Sequence, residues 1–178
     1  MLQIETERLL LRMPRLEDAP ALLDFMGDPE VMRWIGSEPG GIDVAIEHIE
    51  RWLRRWDADG IGTFAVVLRD GGDLLGRIGP LVWNARTWET SSFDAAGDDA
   101  QVELGWALAQ AHWGHGYATE AARAVRAWLY DAQGIEHLIS LIDPVNTRSA
   151  RVAEKLGAKP AETVQTPGGA ATVWVHPR

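Results

Sequence analysis

Val102-Glu103-Leu104-Gly105-Trp106-Ala107-Leu108 is followed closely by His112-Trp113-Gly114-His115-Gly116-Tyr117-Ala118-Thr119-Glu120-Ala121. Residues 101–108 read as a strand. Ala118, Ala121, Ala122, Val125, Trp128 and Leu129 recur at helical spacing, which predicts a helix running from the second glycine to about residue 131. Gly114 and Gly116 let the backbone come close to a ligand. The first amides of a helix have no internal partner, and the helix dipole adds positive potential there. Together they suit a pyrophosphate, and the small Ala118 keeps the first turn open. The same pattern also fits a plain tight turn. It lacks the third glycine of a dinucleotide fingerprint, since Thr119 stands there, and it lacks the Gly-Lys-Ser/Thr of a Walker loop.

Working outward, residues 4–13 read as a strand closed by Pro14, and residues 18–26 as a helix broken at Asp28-Pro29. Ser37 to Gly41 is a loop. Residues 43–58 form an amphipathic helix with Ile46, Ile49, Leu53 and Trp56 inward and Glu47, Glu50, Arg51, Arg54 and Arg55 on the outer face. Residues 63–68 and 74–83 read as a hairpin around Asp70-Gly71-Gly72-Asp73, with Pro80 marking a bulge or an edge. Residues 84–100 are polar and read as a mobile loop. A strand at 137–142, a helix at 147–156 and a closing hairpin around Pro167-Gly168-Gly169 complete the chain. The order implies an α+β layer with a central, mostly antiparallel sheet and one β-α-β crossover.

At 178 residues, one domain over 1–178 is expected. The sequence has no cysteine, which excludes disulfides, thiolate metal sites and a cysteine nucleophile. No stretch approaches the ~18 apolar residues of a membrane span, and the N-terminus carries charges where a signal peptide would be apolar. A cytoplasmic protein is the expectation. A net charge of −9 argues against nucleic acid as a partner. No His/Asp/Glu cluster has metal-ligand spacing.

Residues 113–121 resemble the acetyl-CoA signature of the GNAT superfamily, of the form Gln/Arg-x-x-Gly-x-Gly/Ala. Trp113 takes the first place, Gly116 the glycine place and Ala118 the last. Trp113 departs from the usual polar residue. Glu5-Thr6-Glu7-Arg8-Leu9-Leu10-Leu11-Arg12 resembles the opening strand of the RimJ/RimL-like branch, which acetylates ribosomal-protein N-termini. Asn146-Thr147-Arg148-Ser149 and Glu154-Lys155-Leu156-Gly157-Ala158 resemble that branch's Asn-x-x-Ser helix and its close, with Ala158 in place of a usual Phe.

The resemblance implies a GNAT-like fold whose pantetheine arm lies where the strands at 101–108 and 137–142 splay apart. It implies that main-chain groups of Ala107 and Leu108 pair with the arm and polarise the thioester. The segment Trp113, Gly114, His115, Gly116, Tyr117, Ala118 and Thr119 would hold the diphosphate, with Asn146 on the other side of the arm. The implied reaction is direct attack of a primary amine, a protein N-terminus or a small molecule, on acetyl-CoA. An ammonium must first lose a proton, so a base is required. Glu103, on the strand leading into the site, is the candidate base; a solvent-facing Glu is the alternative. Many superfamily members place a Tyr seven residues after the Asn, but this chain has Ala153 there. Ser149 is then the candidate donor to the thiolate.

No Lys or Arg lies between Thr87 and Ala122, whereas Glu89, Asp94, Asp98 and Asp99 do. If residues 84–100 border the acceptor cleft, they attract a cationic amine; the plainer reading is a solvated loop. Two rival readings are a non-catalytic acyl-CoA-binding regulatory module on the same fold and a nucleotide-phosphate enzyme using the Gly114–Gly116 turn. A monomer and a homodimer are equally compatible with the sequence.

Overall fold

The computed structural model describes residues 2–35 and 40–178. Most of the loop expected at 37–41 lies outside the described residues. In chain order the elements are β1 (Gln3–Glu5), β2 (Leu9–Arg12), α1 (Ala19–Met26), α2 (Pro29–Met32), α3 (Ile42–Asp59), β3 (Phe64–Leu68), β4 (Leu74–Asn84), β5 (Glu89–Thr90) and α4 (Phe93–Ala96). There follow β6 (Ala100–Leu108), α5 (Tyr117–Asp131), β7 (Leu138–Ile142), α6 (Thr147–Lys155), β8 (Lys159–Thr166) and β9 (Gly169–Val175).

One sheet runs β1-β2-β3-β4-β6-β7-β9-β8, with β5 added to β4. Every pairing is antiparallel except β6 with β7. That parallel pair is the return of the crossover through α5, as the element order requires.

The strand expected at 4–13 is a hairpin instead. The Thr6 amide donates to the Leu9 carbonyl at 2.9 Å, and the Leu9 amide donates to Thr6 Oγ1 at 3.0 Å. A threonine hydroxyl that satisfies main chain in this way stabilises the reversal. Pro80 sits on a locally free edge. β3 pairs with β4 only as far as Ile78, so the amide that proline lacks has no ladder partner to lose. The segment expected to be a loop at 84–100 contains β5 and α4, with Ser92 Oγ capping α4 through the Ala95 amide at 3.2 Å.

The larger core lies on one sheet face. Leu104 and Leu108 of β6 meet Ala121, Ala122, Val125 and Leu129 of α5 there. Trp56 from the end of α3 joins it, edge-on to Phe64 at 5.0 Å, with its indole N–H donating to the Thr63 carbonyl. On the opposite face α1 and α3 bury Leu22, Phe25, Met26, Ile49 and Trp52 over Leu74 and Ala107. Alternation along β6 therefore sends even residues toward α5 and odd ones, Glu103 among them, toward α1 and α3. Among the described residues no helix is long and apolar enough to cross a membrane.

Candidate active site

Between β6 and α5 the chain turns through Gly114 (φ 81°) and Gly116 (φ 84°). Such dihedrals are costly for any side chain. The first main-chain bond of α5 runs from the Glu120 amide to the Gly116 carbonyl at 3.0 Å. The Tyr117, Ala118 and Thr119 amides precede it and have no helical acceptor. These residues, with Gly114 and Gly116, line one end of a cleft of about 830 Å³.

The helix tip is braced from behind by the first hairpin. Glu120 accepts from Thr6 Oγ1 at 2.6 Å, from the Arg8 amide at 2.8 Å and from Arg8 Nε at 2.7 Å. Arg8 also donates to the His115 carbonyl at 3.1 Å and lies over the Tyr117 ring at 4.5 Å. The two distant segments singled out in the sequence, 5–12 and 113–121, thus meet in one network. The His115 side chain is exposed, stacks on Tyr117 and is absent from the cleft lining.

The gap expected between the parallel strands is present. β6 and β7 pair only at Val102–Leu138 and Glu103–Ile139, after which β7 continues against β9. At the divergence, Ser140 Oγ donates to the Leu104 carbonyl at 2.6 Å and lies 2.8 Å from His176 Nε2. Because the serine proton is used on Leu104, His176 supplies the proton of the second bond. Burial holds His176 at a pKa of about 4, down from 6.5, so its ring is neutral near pH 7.

The register corrects one expectation. The Ala109 amide donates to the Leu75 carbonyl of β4, and the Leu104 carbonyl faces β7. Along an antiparallel ladder the direction of main-chain groups alternates. The groups of Ala107 therefore turn to β4, while those of Trp106 and Leu108 face the gap. The Leu108 carbonyl is itself occupied by Trp113 Nε1 at 2.7 Å. The tryptophan in the unusual motif position thus locks the turn to the end of β6, with Arg148 stacked on its ring at 4.6 Å. Asn146 caps α6, its Oδ1 accepting from the Ser149 amide at 3.1 Å, which leaves only its NH₂ available in the cleft. The half-buried Ser149 lines the same wall.

Glu103 does not face solvent. It is 8% exposed, and its Oε2 accepts from Trp83 Nε1 at 2.6 Å. Burial pushes its carboxyl above the usual value, opposed by the Trp83 bond, the Arg77 charge and the Leu141 amide. A buried carboxylate with a raised pKa at the centre of a cleft is suited to taking a proton.

The far half of the cleft holds residues that sequence reasoning missed. Trp83 and Arg77 come from β4, while His48, Arg51 and Arg55 come from α3. The outer-face placement of Arg55 is corrected, since it is half-buried in the cleft wall, while Arg51 is exposed as expected and also borders the cleft. His48, Trp52 and Arg55 recur three to four residues apart and share one side of the helix. The signal available in the sequence was this spacing and the pairing of β4 with β6. The polar segment 84–100 contributes only Thr90 to the lining; Asp94, Asp98 and Asp99 stay outside it. Asp99 is paired instead with Arg86 at 2.7 Å.

Comparisons with known proteins agree with this architecture. Residues 8–159 match the family described as Acetyltransferase (GNAT) domain. The N-acetyltransferase YnaD of Bacillus subtilis, itself uncharacterised, is 27% identical over 158 residues, spanning 89% of this chain and 83% of the relative. The crystal structure of an acetyltransferase from Agrobacterium tumefaciens superposes with a TM-score of 0.80 at 28% identity, covering 100% of this chain and 95% of that one. The aminoglycoside acetyltransferase AAC(6')-Ib, solved with coenzyme A, shares the fold at a TM-score of 0.74 and 21% identity, with 96% and 95% covered. The glycine turn, the splayed strand pair and the family match over most of the length lead to one assignment: the chain belongs to the GNAT acetyltransferase family.

Proposed function

We propose that this acetyltransferase moves the acetyl group of acetyl-CoA to a primary amine by direct attack, with no covalent protein intermediate. The diphosphate docks on the free amides at the start of α5, and the arm runs through the gap between β6 and β7 along Trp106 and Leu108. Glu103 takes the proton from the incoming ammonium, and Ser149 serves the departing thiolate, which needs only a modest donor because a free thiol has a pKa of ~8.5. The observation that carries this reading is one continuous cleft that joins unpaired helix-tip amides to a buried carboxylate across an open strand gap. An amine acceptor is also what AAC(6')-Ib binds in its complex with ribostamycin and coenzyme A. The likeness of residues 5–12 and 146–158 to the branch acting on protein N-termini supports an α-amino group in particular.

The test is a thermal-shift titration with acetyl-CoA followed by thiol release across an amine panel. A ligand that binds only the native state raises the melting point by mass action. A melting point that does not move with acetyl-CoA removes the reading. Thiol release that is independent of every amine removes the acceptor half of it.

A further inference from the structure

The whole chain carries more acid than base, with 26 Asp and Glu against 17 Lys and Arg. The acceptor half of the cleft reverses that balance. Arg51, Arg55 and Arg77 line it, and Glu103 is the carboxylate among them. The guanidiniums are not spent on protein partners. Arg55 Nη1 is buried with no hydrogen-bond acceptor among the described residues. Among the described residues Glu103 is the one carboxylate in the cleft whose charge reaches both Arg55 and Arg77, and its Oε2 is already held by Trp83. Burying guanidinium groups that outnumber the carboxylates beside them is unfavourable. Both are held below their ordinary pKa: burial lowers Arg55, aided by Arg51 and opposed by Asp59 and Glu103, and burial lowers Arg77 against the pull of Glu103, aided by Arg55. A site kept in this state is built to receive an anion.

The geometry also fixes where the anion sits relative to the base. A Cβ placed on Gly105 would lie 3.4 Å from Glu103 Oε1 and 3.9 Å from Arg77 Nη1. The absence of a side chain there leaves one small space flanked by a carboxylate on one side and a guanidinium on the other. It lies on the sheet face opposite α5, so it is separate from the helix-tip amides. A polycationic amine would meet three like charges. A short zwitterion matches both walls, its ammonium toward Glu103 and its anionic end toward the arginines.

Resting on the transferase reading above, we propose that the acceptor is an amine bearing a free carboxylate, of the α-amino acid type, with the carboxylate bound by Arg55 and Arg77 and Arg51 at the rim. The acetyl-CoA thioester carbon forms a bond to the amine nitrogen and the carbon–sulfur bond breaks; one ammonium proton passes to Glu103, the second N–H proton leaves as the amide forms and reaches the departing thiolate by way of Ser149, and the products are an N-acetyl amino acid and coenzyme A.

The experiment compares matched pairs, each free amino acid against its own primary amide, in acetyl-CoA-dependent thiol release by the full chain. Charge-assisted hydrogen bonds predict that the acid is preferred by about ten- to a hundredfold in kcat/KM. Arg55→Gln collapses that ratio through the KM of the acid, and Arg55→Lys restores part of it, while the acetyl-CoA thermal shift persists in both. Three results overturn the proposal. Amides or polyamines accepted as well as acids would do so, and would point to peptide N-termini or polycations. Equal loss for acid and amide in Arg55→Gln, with a displaced acidic limb in the pH profile, would show that the arginine acts only on Glu103. A chain whose melting point ignores acetyl-CoA would fail at the earlier step, and the two failures are told apart by that measurement alone.

Discussion

The two ends of the cleft are built from different materials. The end proposed to hold the donor is main chain: a turn at Gly114 and Gly116, three free amides, and a strand edge that loses its neighbour after Glu103. The end proposed for the acceptor is side chain, with groups from α3, β4 and β6 meeting over Gly105. A site of backbone groups tolerates sequence change as long as dihedral angles are kept, whereas a site of side chains is redefined by single substitutions. One fold can therefore hold its donor constant while its acceptor varies. The difference also sets how each end should respond to mutation.

The largest effect belongs to the acceptor end. Glu103→Gln keeps the shape and the Trp83 contact but cannot take a proton. We expect kcat to fall by about 10²- to 10⁴-fold, the usual share of a general base, with the acetyl-CoA thermal shift intact. Because the active form is the carboxylate and burial raises its pKa, the acidic limb of kcat/KM lies above the ordinary glutamate value of 4.5. Trp83→Phe removes a bond that favours the charged form, so the limb moves further up in pH. A limb that stays put, or a Gln variant at full speed, would transfer the base to another group.

The next effect concerns the point where the two ends separate. His176 is neutral in the folded chain, with a pKa lowered to about 4, and titrates near 6.5 when unfolded. The unfolded state therefore binds more protons between those values, and stability present above pH 6.5 is lost as pH falls toward 4. The loss attributable to this ring is on the order of 3 kcal/mol. Urea midpoints measured across that window, for the natural chain and for His176→Gln, test it. A slope that survives unchanged in the variant assigns the titration elsewhere, His48 being the other ring held near 4.

At the donor end, Gly116→Val forces a side chain into φ 84° and places its Cβ 3.5 Å from Arg8 Nη2. A left-handed conformation costs a β-carbon roughly 1–2 kcal/mol. If that cost is met by distorting the turn, acetyl-CoA affinity weakens by about 5- to 30-fold, read from the thermal-shift titration, and the preference among amines stays as it was. A changed amine preference would mean that the ends are not independent.

The same contrast explains what the sequence could disclose. The donor end occupies one contiguous stretch, so its glycines, helix start and parallel strand were all readable, and the braces from Thr6 and Arg8 lie in a segment that had also stood out. The direction of main-chain groups on β6 was not readable, because it depends on a register that Ala109 and Leu75 set across two strands. Arg77 was invisible for a related reason, and Arg55 showed only in its spacing from His48 and Trp52. On a helix period Arg55 looks like one more outer-face charge, and only the packing of α3 over β6 turns it inward. The acidity of residues 84–100 was legible as composition, but whether the segment bordered the cleft or stood in solvent was not, since composition carries no information about which wall a loop joins.

That segment supplies the smallest prediction and the sharpest control on the comparison. Asp94, Asp98 and Asp99 would draw a cationic acceptor if they faced the cleft, and replacing all three with Asn would then raise its KM at low salt. They lie outside the lining, Asp99 is already paired with Arg86, and exposed charges are screened over about 10 Å at moderate ionic strength. The triple variant should keep the KM of any amine within about twofold, a change of the size exposed charges commonly produce. A larger rise for cationic amines than for zwitterions would place the governing field in this loop and not in the arginines. The acceptor end would then be selected at a distance, and the division between a main-chain donor site and a side-chain acceptor site would no longer describe how the enzyme chooses its substrate.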